Sequence, residues 1–194
     1  MDLFHEVDLC EPVDKFVEQS KENLCGVRGE FGGTARNYFC VGLERFTPTE
    51  AAYDVIWCQW VLPHINDTDL IAFFHRCARG LRPGGFFMVK ENIAQAHFVM
   101  DVDDSSITRT DDYFRSIFKR AGLEVFASQR QREFPQELFG VMMYACRFPG
   151  GVVPKRGGEG VGSGQQIAQA AALQAAAPAT APPKRKGPRP AMID

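Results

Sequence analysis

Side chains able to do chemistry collect at three places, each just after a short apolar segment. Glu11 follows EVDLC, and the second place, QWVLPHIND, supplies Gln59, Trp60 and His64. The third place, KENIAQAHFVMDVDDSS, is the richest, with the polar residues Glu91, Asn92, Gln95, Asp101, Asp103 and Asp104. Open α/β sheets bind ligands at the carboxyl ends of their strands, where an acid such as Glu11 can accept both hydroxyls of a ribose. The acids of the third segment suit a pocket for a cation or an amine, or they form a solvated loop.

Strand-like and helix-like segments alternate along the chain and must position these residues. The strand-like segments are EVDLC, NYFCVG, DVIWCQW, GFFMVKEN, LEVFASQRQ and LFGVMMYACR, and the helix-like ones are PVDKFVEQSKENL, DTDLIAFFHRCARGL and TRTDDYFRSIFKRAG. This alternation predicts an α/β fold with a mostly parallel sheet and a final hairpin-like pair. DVIWCQW is apolar enough for a strand buried on both faces. We also expect an Asp cap on the second helix, a turn at RPGG and an end of the third helix at Gly122.

The composition is that of a globular protein, with 194 residues, 45% hydrophobic and 24% charged. No apolar run approaches the roughly 18–20 residues of a membrane span, and the start MDLFHEVDLCEPVDKF is unlike a signal peptide. We therefore expect an intracellular protein without a membrane partner. The six cysteines form no CxxC motif and are predicted to be free thiols rather than zinc ligands.

Charge and composition divide the chain into a body, residues 1–147, and a tail, residues 148–194. The body holds 16 basic and 22 acidic residues, a balance that favours a cationic partner over non-specific nucleic-acid binding. The tail is dominated by Gly, Ala and Pro and is predicted to be disordered. Its basic cluster, PPKRKGPRP, resembles a short nuclear-localisation signal, or it is a plain solvated segment.

Three blocks of the body closely resemble the alpha-N-terminal protein methyltransferases: ARNYFCVGLERFTPTEAAYDVIWCQWVLPHIND, LRPGGFFMVKENIAQ and DVDDSS. The patterns IWxQWVxxH, KxNxAQ and DDSS carry the likeness, which runs from about residue 5 to residue 147. The resemblance implies a Rossmann-like, S-adenosylmethionine-dependent methyltransferase fold. It also implies methylation of the free α-amine of proteins that begin X-Pro-Lys or X-Pro-Arg. The location expected from the start of the chain and from the basic cluster is the cytoplasm or nucleus.

The same resemblance implies a role for each matching residue. Six positions are implied to bind the cofactor, namely Glu11 at the ribose, Pro12 and Val13 beside it, Leu43 and Glu44 at the adenine, and Gln59. The implied substrate-binding residues are Trp60, Asn92, Asp101, Asp104 and Ser106. Asp104 and His64 are the implied catalytic bases. The family commonly has Gln where this chain has Glu44.

One part of the family pattern is absent from the 194 residues. The cofactor-binding acid-x-Gly-x-Gly-x-Gly loop and the strand before it do not occur, so we expect a truncated sequence that binds S-adenosylmethionine weakly or not at all. The alternatives are a non-catalytic pseudo-methyltransferase that acts as a binding module, and a small-molecule methyltransferase of the same fold.

Overall fold

The computed structural model describes residues 4–24, 34–135 and 137–150, which fall into two units, one ending at Pro48 and one beginning at Thr49. The elements of the first unit are β1 (Glu6–Cys10), α1 (Asp14–Leu24) and β2 (Thr34–Phe39). The second unit consists of β3 (Tyr53–Gln59), a 3-10 turn (Leu62–His64), α2 (Asp67–Ala78), β4 (Leu81–Ile93), β5 (Phe98–Asp101), β6 (Ser106–Arg109), α3 (Asp111–Arg120), β7 (Glu124–Arg130) and β8 (Gly140–Arg147).

In the first unit β1 and β2 form a parallel pair that extends from Glu6 opposite Thr34 to Cys10 opposite Phe39, with a register shift between Val7 and Leu9. Both strands were predicted, although β2 begins and ends earlier than the segment NYFCVG. Helix α1 begins at Asp14 and buries Val17. Because the strands are parallel, the segments that follow Cys10 and Phe39 leave the same edge of the pair.

The second unit contains a four-stranded sheet with the order β3-β4-β8-β7. Strands β3 and β4 are parallel, whereas β8 lies antiparallel to both β4 and β7. The predicted α/β class and the final hairpin-like pair are confirmed. The expectation of a mostly parallel sheet is wrong for the described residues, since β8 inserts between β4 and β7 and makes two of the three pairings antiparallel.

Helices α2 and α3 cover one face of this sheet. Phe74 of α2 meets Phe87 of β4 at a ring-centroid distance of 5.2 Å and Phe118 of α3 at 5.8 Å, and Phe118 contacts Tyr144 of β8. The opposite face carries a second cluster, formed by Phe86, Met88, Met143 and Ala145 with Val55, Trp57 and Phe126 packed against it. Alternate residues of β4 therefore contribute to two cores, as the period of a strand requires.

Two local predictions are corrected. The N-cap of α2 is Asn66, whose side chain accepts a hydrogen bond from the Asp69 N–H at 3.0 Å, so Asp67 keeps its carboxylate for other contacts. RPGG is part of β4, which starts at Leu81 and contains an irregularity that Gly84 accommodates with φ +81°. Gly122, with φ +77°, follows α3 as predicted.

The burial of β3 and the segment after β4 also differ from expectation. Only Cys58 of β3 is buried, because β3 lies at an edge of the sheet within the described residues and pairs only with β4 there. The expected loop after β4 contains an antiparallel ribbon, β5–β6, in which Asp101 lies opposite Ser106. The ribbon turns through residues 102–105, where Ser105 adopts φ +54°.

The sheet unit extends slightly beyond Arg147. The Phe148 ring lies 6.3 Å from Phe87 and 6.0 Å from His75, centroid to centroid. The rest of the predicted tail, from residue 151, lies outside the described residues. Within the described ranges, no helix has the length and hydropathy needed to cross a membrane.

The described cysteines form no disulfide, and three of the five are buried. Cys58, Cys77 and Cys146 are buried free thiols, whereas Cys10 is half-buried and Cys40 is exposed. Cys25 lies outside the described residues.

Candidate functional site

The predicted cofactor residues of the first unit lie at the carboxyl ends of β1 and β2. Glu11 is half-buried, its N–H donates to the Phe39 carbonyl at 3.0 Å, and its Oε1 accepts from the Val13 N–H at 2.9 Å. The Cys40 thiol points to the Pro12 carbonyl, so the two strand exits are in contact. A carboxylate has about four acceptor sites, which leaves Glu11 able to accept ribose hydroxyls as well.

Leu43 and Glu44 form part of a turn after β2. Leu43 is half-buried, and the exposed Glu44 carboxylate folds back over Gly42 so closely that a Cβ there would collide with it. The Gly42 carbonyl accepts from the N–H groups of Arg45 and Phe46. This turn places an apolar side chain and a hydrogen-bond acceptor near the exit of β2, which fit the ring and the N–H or O–H donors of an adenosine.

The exit of β3 brings Gln59 and Trp60 beside the end of β4. Gln59 pairs with Lys90 in the register, and its Oε1 accepts from the Trp57 indole N–H at 3.2 Å. Trp60 follows with φ +54°, a left-handed conformation that is uncommon for a bulky side chain. Its N–H donates to the Lys90 carbonyl at 3.1 Å, and the Lys90 ammonium lies 5.4 Å from the centre of the indole. Such strained residues cluster at functional sites.

Two ionisable side chains of β4 are buried at this exit. Glu91 is 0% exposed, and its Oε1 accepts from the N–H groups of Val61 at 2.9 Å and Leu62 at 3.0 Å. Burial raises the pKa of Glu91 to about 8, although the backbone N–H groups of residues 60–62 and the Arg109 charge oppose that shift. Burial lowers the pKa of the neighbouring Lys90.

Arg109, at the end of β6, also forms hydrogen bonds with the segment that follows β3. Its guanidinium is 0% exposed and donates to the carbonyls of Leu62 at 3.2 Å and Ile65 at 2.8 Å, and to the Asp67 carboxylate at 2.9 Å. Asp67 also accepts from the Tyr113 hydroxyl at 2.7 Å. The ribbon is thereby tied to the turn after β3.

The predicted substrate-binding and catalytic residues of the second unit lie on β4, on the ribbon and on this turn. Asn92 is nearly buried in β4, and the exposed His64 ends the 3-10 turn. Asp101 accepts from the Asp103 N–H at 3.1 Å and so shapes the turn of the ribbon. Ser106 is buried, while Asp104 is half-buried with one carboxylate oxygen inside the protein. Strand β6 packs against both the 3-10 turn and β4, which brings the elements that carry these residues together.

Sequence reasoning missed Lys90 and Arg109, and it counted Glu91 only among the acids of a candidate cation pocket or solvated loop. A signal was available, because each charge interrupts an apolar or strand-like stretch, FFMVKEN or SITRTD. A buried charge is costly unless it is paired, so a charge at such a position indicates a specific local structure. The partners of each charge depend on the tertiary structure.

The arrangement of the strands and the polar residues at their carboxyl ends define a class of protein, the S-adenosylmethionine-dependent methyltransferases. A SAM-dependent methyltransferase from Leishmania major has a similar structure, with a TM-score of 0.67 and 32% identity, covering 73% of this chain and 55% of that one. The likeness confirms the predicted fold class.

Residues 1–147 match the family described as AdoMet-dependent proline di-methyltransferases, and the chain belongs to this family. The chain is 49% identical over 142 residues to the alpha N-terminal protein methyltransferase 1 of Arabidopsis thaliana, covering 73% of this chain and 51% of the relative. It is 43% identical over 145 residues to the N-terminal Xaa-Pro-Lys N-methyltransferase 1-B of Xenopus laevis, covering 75% and 63%. The chain therefore spans about half to two thirds of the length of these curated relatives.

Proposed function

We propose that this protein transfers a methyl group from S-adenosylmethionine to the free α-amine of proteins that begin X-Pro-Lys or X-Pro-Arg. The observation that carries the proposal is the family match over the whole body, residues 1–147, which includes every site residue predicted above. Relatives that are 43–49% identical bear names for this activity. The acidic balance of the body, 22 acidic against 16 basic residues, also favours a Lys- or Arg-bearing substrate.

The cofactor supplies an electrophilic methyl group on a sulfonium. The residues of the chain then have two tasks, to align the amine with that methyl and to remove a proton, because an ammonium has no lone pair with which to attack. A carboxylate or an imidazole can accept the proton, directly or through one water. Asp104 and His64 supply one of each, at the ribbon and at the adjoining turn.

Other residues, in each unit by itself, bind the two reactants. Glu11 and Leu43 suit the ribose and the adenine, and the indole of Trp60 offers an apolar face against which a substrate proline can pack. Asp101 carries the charge to attract the Lys or Arg of the substrate. Asn92 supplies both a donor and an acceptor for the backbone of the peptide.

A methylation assay tests the proposal. The full natural chain is incubated with S-adenosylmethionine and an Xaa-Pro-Lys peptide, and the product is analysed by tandem mass spectrometry. We expect methyl groups on the α-nitrogen and none when that nitrogen is acetylated. Peptide binding without methyl transfer would support the binding-module alternative, and methylation of a lysine side chain instead would contradict the proposal.

We further propose a location in the cytoplasm or nucleus. The basic cluster PPKRKGPRP supports it, with four basic residues within six positions. Replacing Lys184, Arg185 and Lys186 by Ala in a fluorescent fusion should reduce nuclear accumulation. An unchanged distribution would remove the role of the cluster.

A further inference from the structure

The segment that follows β3 is held in a conformation that it would not adopt unaided. Trp60 has φ +54°, a left-handed backbone conformation that is unfavourable for a bulky residue. Such a conformation persists only where the surrounding structure imposes it. The side chains that bind this segment, Glu91 and Arg109, are buried, ionisable and distant in sequence.

Glu91 and Arg109 bind the backbone of this segment in complementary ways. Glu91 accepts two consecutive N–H groups, those of Val61 and Leu62, through a single oxygen. Arg109 donates to two carbonyls, those of Leu62 and Ile65. Both side chains are 0% exposed, so solvent cannot replace either set of bonds.

The N–H groups that Glu91 binds lie between two residues that are implied to act on the substrate. Trp60 directly precedes the N–H groups that Glu91 binds, and His64 lies two residues after Leu62. Lys90, adjacent to Glu91, accepts the Trp60 N–H through its carbonyl and places its ammonium over the indole. A shift of Glu91 would therefore move the indole and the imidazole together.

We propose that Glu91 is a positioning residue for the methyl transfer, fixing the backbone of residues 61–62 and, through it, the Trp60 indole and the His64 imidazole. The inference rests on the proposed function. Glu91 acts through its neighbours, since its side chain is buried and bound to the backbone.

The protonation state of Glu91 is consistent with this role. Burial raises its pKa to about 8, so the group is mainly a neutral carboxylic acid at pH 7. A neutral acid keeps the acceptor oxygen that the two N–H groups need and avoids an uncompensated buried charge.

Two variants in the full natural chain test the proposal. Glu91→Gln keeps an acceptor oxygen, whereas Glu91→Met keeps the approximate size and loses it. Ile117→Ala, at a buried position on α3, is a control for loss of stability alone. Kinetics on an Xaa-Pro-Lys peptide are measured well below the melting temperature, and the emission of Trp60 is recorded in a Trp57→Phe background.

We expect Glu91→Met to lower kcat/KM for the peptide by about 10- to 100-fold, because small misplacements of aligned groups cost rates of that order. Cofactor affinity should be unchanged, and the Trp60 emission should shift. Glu91→Gln should recover most of the loss, and Ile117→Ala should leave kcat/KM and the emission unchanged. Equal kinetics in Glu91→Met and Ile117→Ala, or no recovery with Glu91→Gln, would overturn the inference.

Hydrogen exchange in the unsubstituted protein provides a measurement that needs no variant to fold. The amide hydrogens of Val61 and Leu62 should be protected from exchange with solvent, and unprotected exchange at both would contradict the inference. If the unsubstituted protein methylates no peptide, the proposed function fails. The Trp60 emission and the hydrogen exchange then still test whether Glu91 fixes the backbone of residues 61–62.

Discussion

Asp104 and His64, the two implied proton acceptors, have different surroundings. Asp104 is half-buried with one carboxylate oxygen inside the protein, whereas His64 is exposed at the end of a 3-10 turn. The Asp104 carboxylate is therefore the more enclosed of the two groups. Asp104 is therefore the residue on which we expect turnover to depend more.

Asp104→Asn should lower kcat by about 10²- to 10⁴-fold, the usual contribution of a positioned acid–base group, while cofactor affinity is retained. The amide keeps the shape but neither attracts an ammonium strongly nor takes its proton. Steady-state kinetics on an Xaa-Pro-Lys peptide measure the loss. Asp103→Asn, at an exposed neighbour in the same turn, is the matched control. Equal turnover in the two variants would remove the general-base role of Asp104, and His64→Ala should cost less than Asp104→Asn.

Glu91 should also make stability depend on pH. Its pKa is raised from 4.5 to about 8 in the folded protein, so between these values the folded state holds a proton that the unfolded state has lost. The resulting stabilisation is complete below about pH 4.5 and is lost as the pH rises to and through about 8, with a slope of at most about 1.4 kcal/mol per pH unit. Glu91→Gln cannot titrate, so its stability relative to the unsubstituted protein should improve as the pH rises. Urea denaturation across this range tests the prediction, and parallel pH profiles would contradict it.

At the level of elements, Arg109 joins the ribbon to the segment between β3 and α2. Arg109→Met should cost about 3–5 kcal/mol, because removing one partner of a buried ion pair leaves the other uncompensated. Arg82→Met breaks an exposed pair with Asp54 and should cost no more than about 1 kcal/mol. Urea denaturation of the two variants compares them directly. Similar losses would show that burial does not set the strength of the Arg109 contacts.

The elements themselves were largely predictable, for a local reason. Apolar residues at helical spacing predicted α2 and α3, and continuous apolar runs predicted β3, β4 and β8. The ribbon β5–β6 was not predicted, because the acids of DVDDSS suggest a loop. The four-residue turn at residues 102–105 is stabilised by Asp101, whose carboxylate accepts a hydrogen bond from within the turn, and Ser105 has left-handed backbone there. Neither feature has a distinctive sequence pattern.

For the molecule as a whole, the boundary of the folded body can be tested with two truncations. Ending the chain after Gly150 should leave the free energy of unfolding unchanged, since the composition that follows predicts no core. Ending it after Arg147 also removes the Phe148 ring from Phe87 and His75, which should cost about 1–2 kcal/mol. Denaturant unfolding of both forms gives the difference. Equal stabilities would show that Phe148 contributes nothing, and a loss on ending at Gly150 would contradict the composition argument.

The sequence by itself determined the fold class, the order of most elements and the family, because these depend on local periodicity and on short blocks such as IWxQWVxxH and KxNxAQ. It also selected Trp60, His64, Asn92 and Asp104 as candidates. These predictions need only neighbouring residues. Their roles in the reaction stay predictions.

Only the tertiary structure decided how those candidates are held. Glu91 binds a backbone N–H 30 residues earlier in the chain, and Arg109 binds a carbonyl 47 residues earlier. No local pattern specifies such partners, because they meet only once β3 and β4 have paired and the ribbon has packed on the 3-10 turn. The left-handed backbone of Trp60 has the same origin, since a bulky residue adopts it only when contacts from other elements impose it.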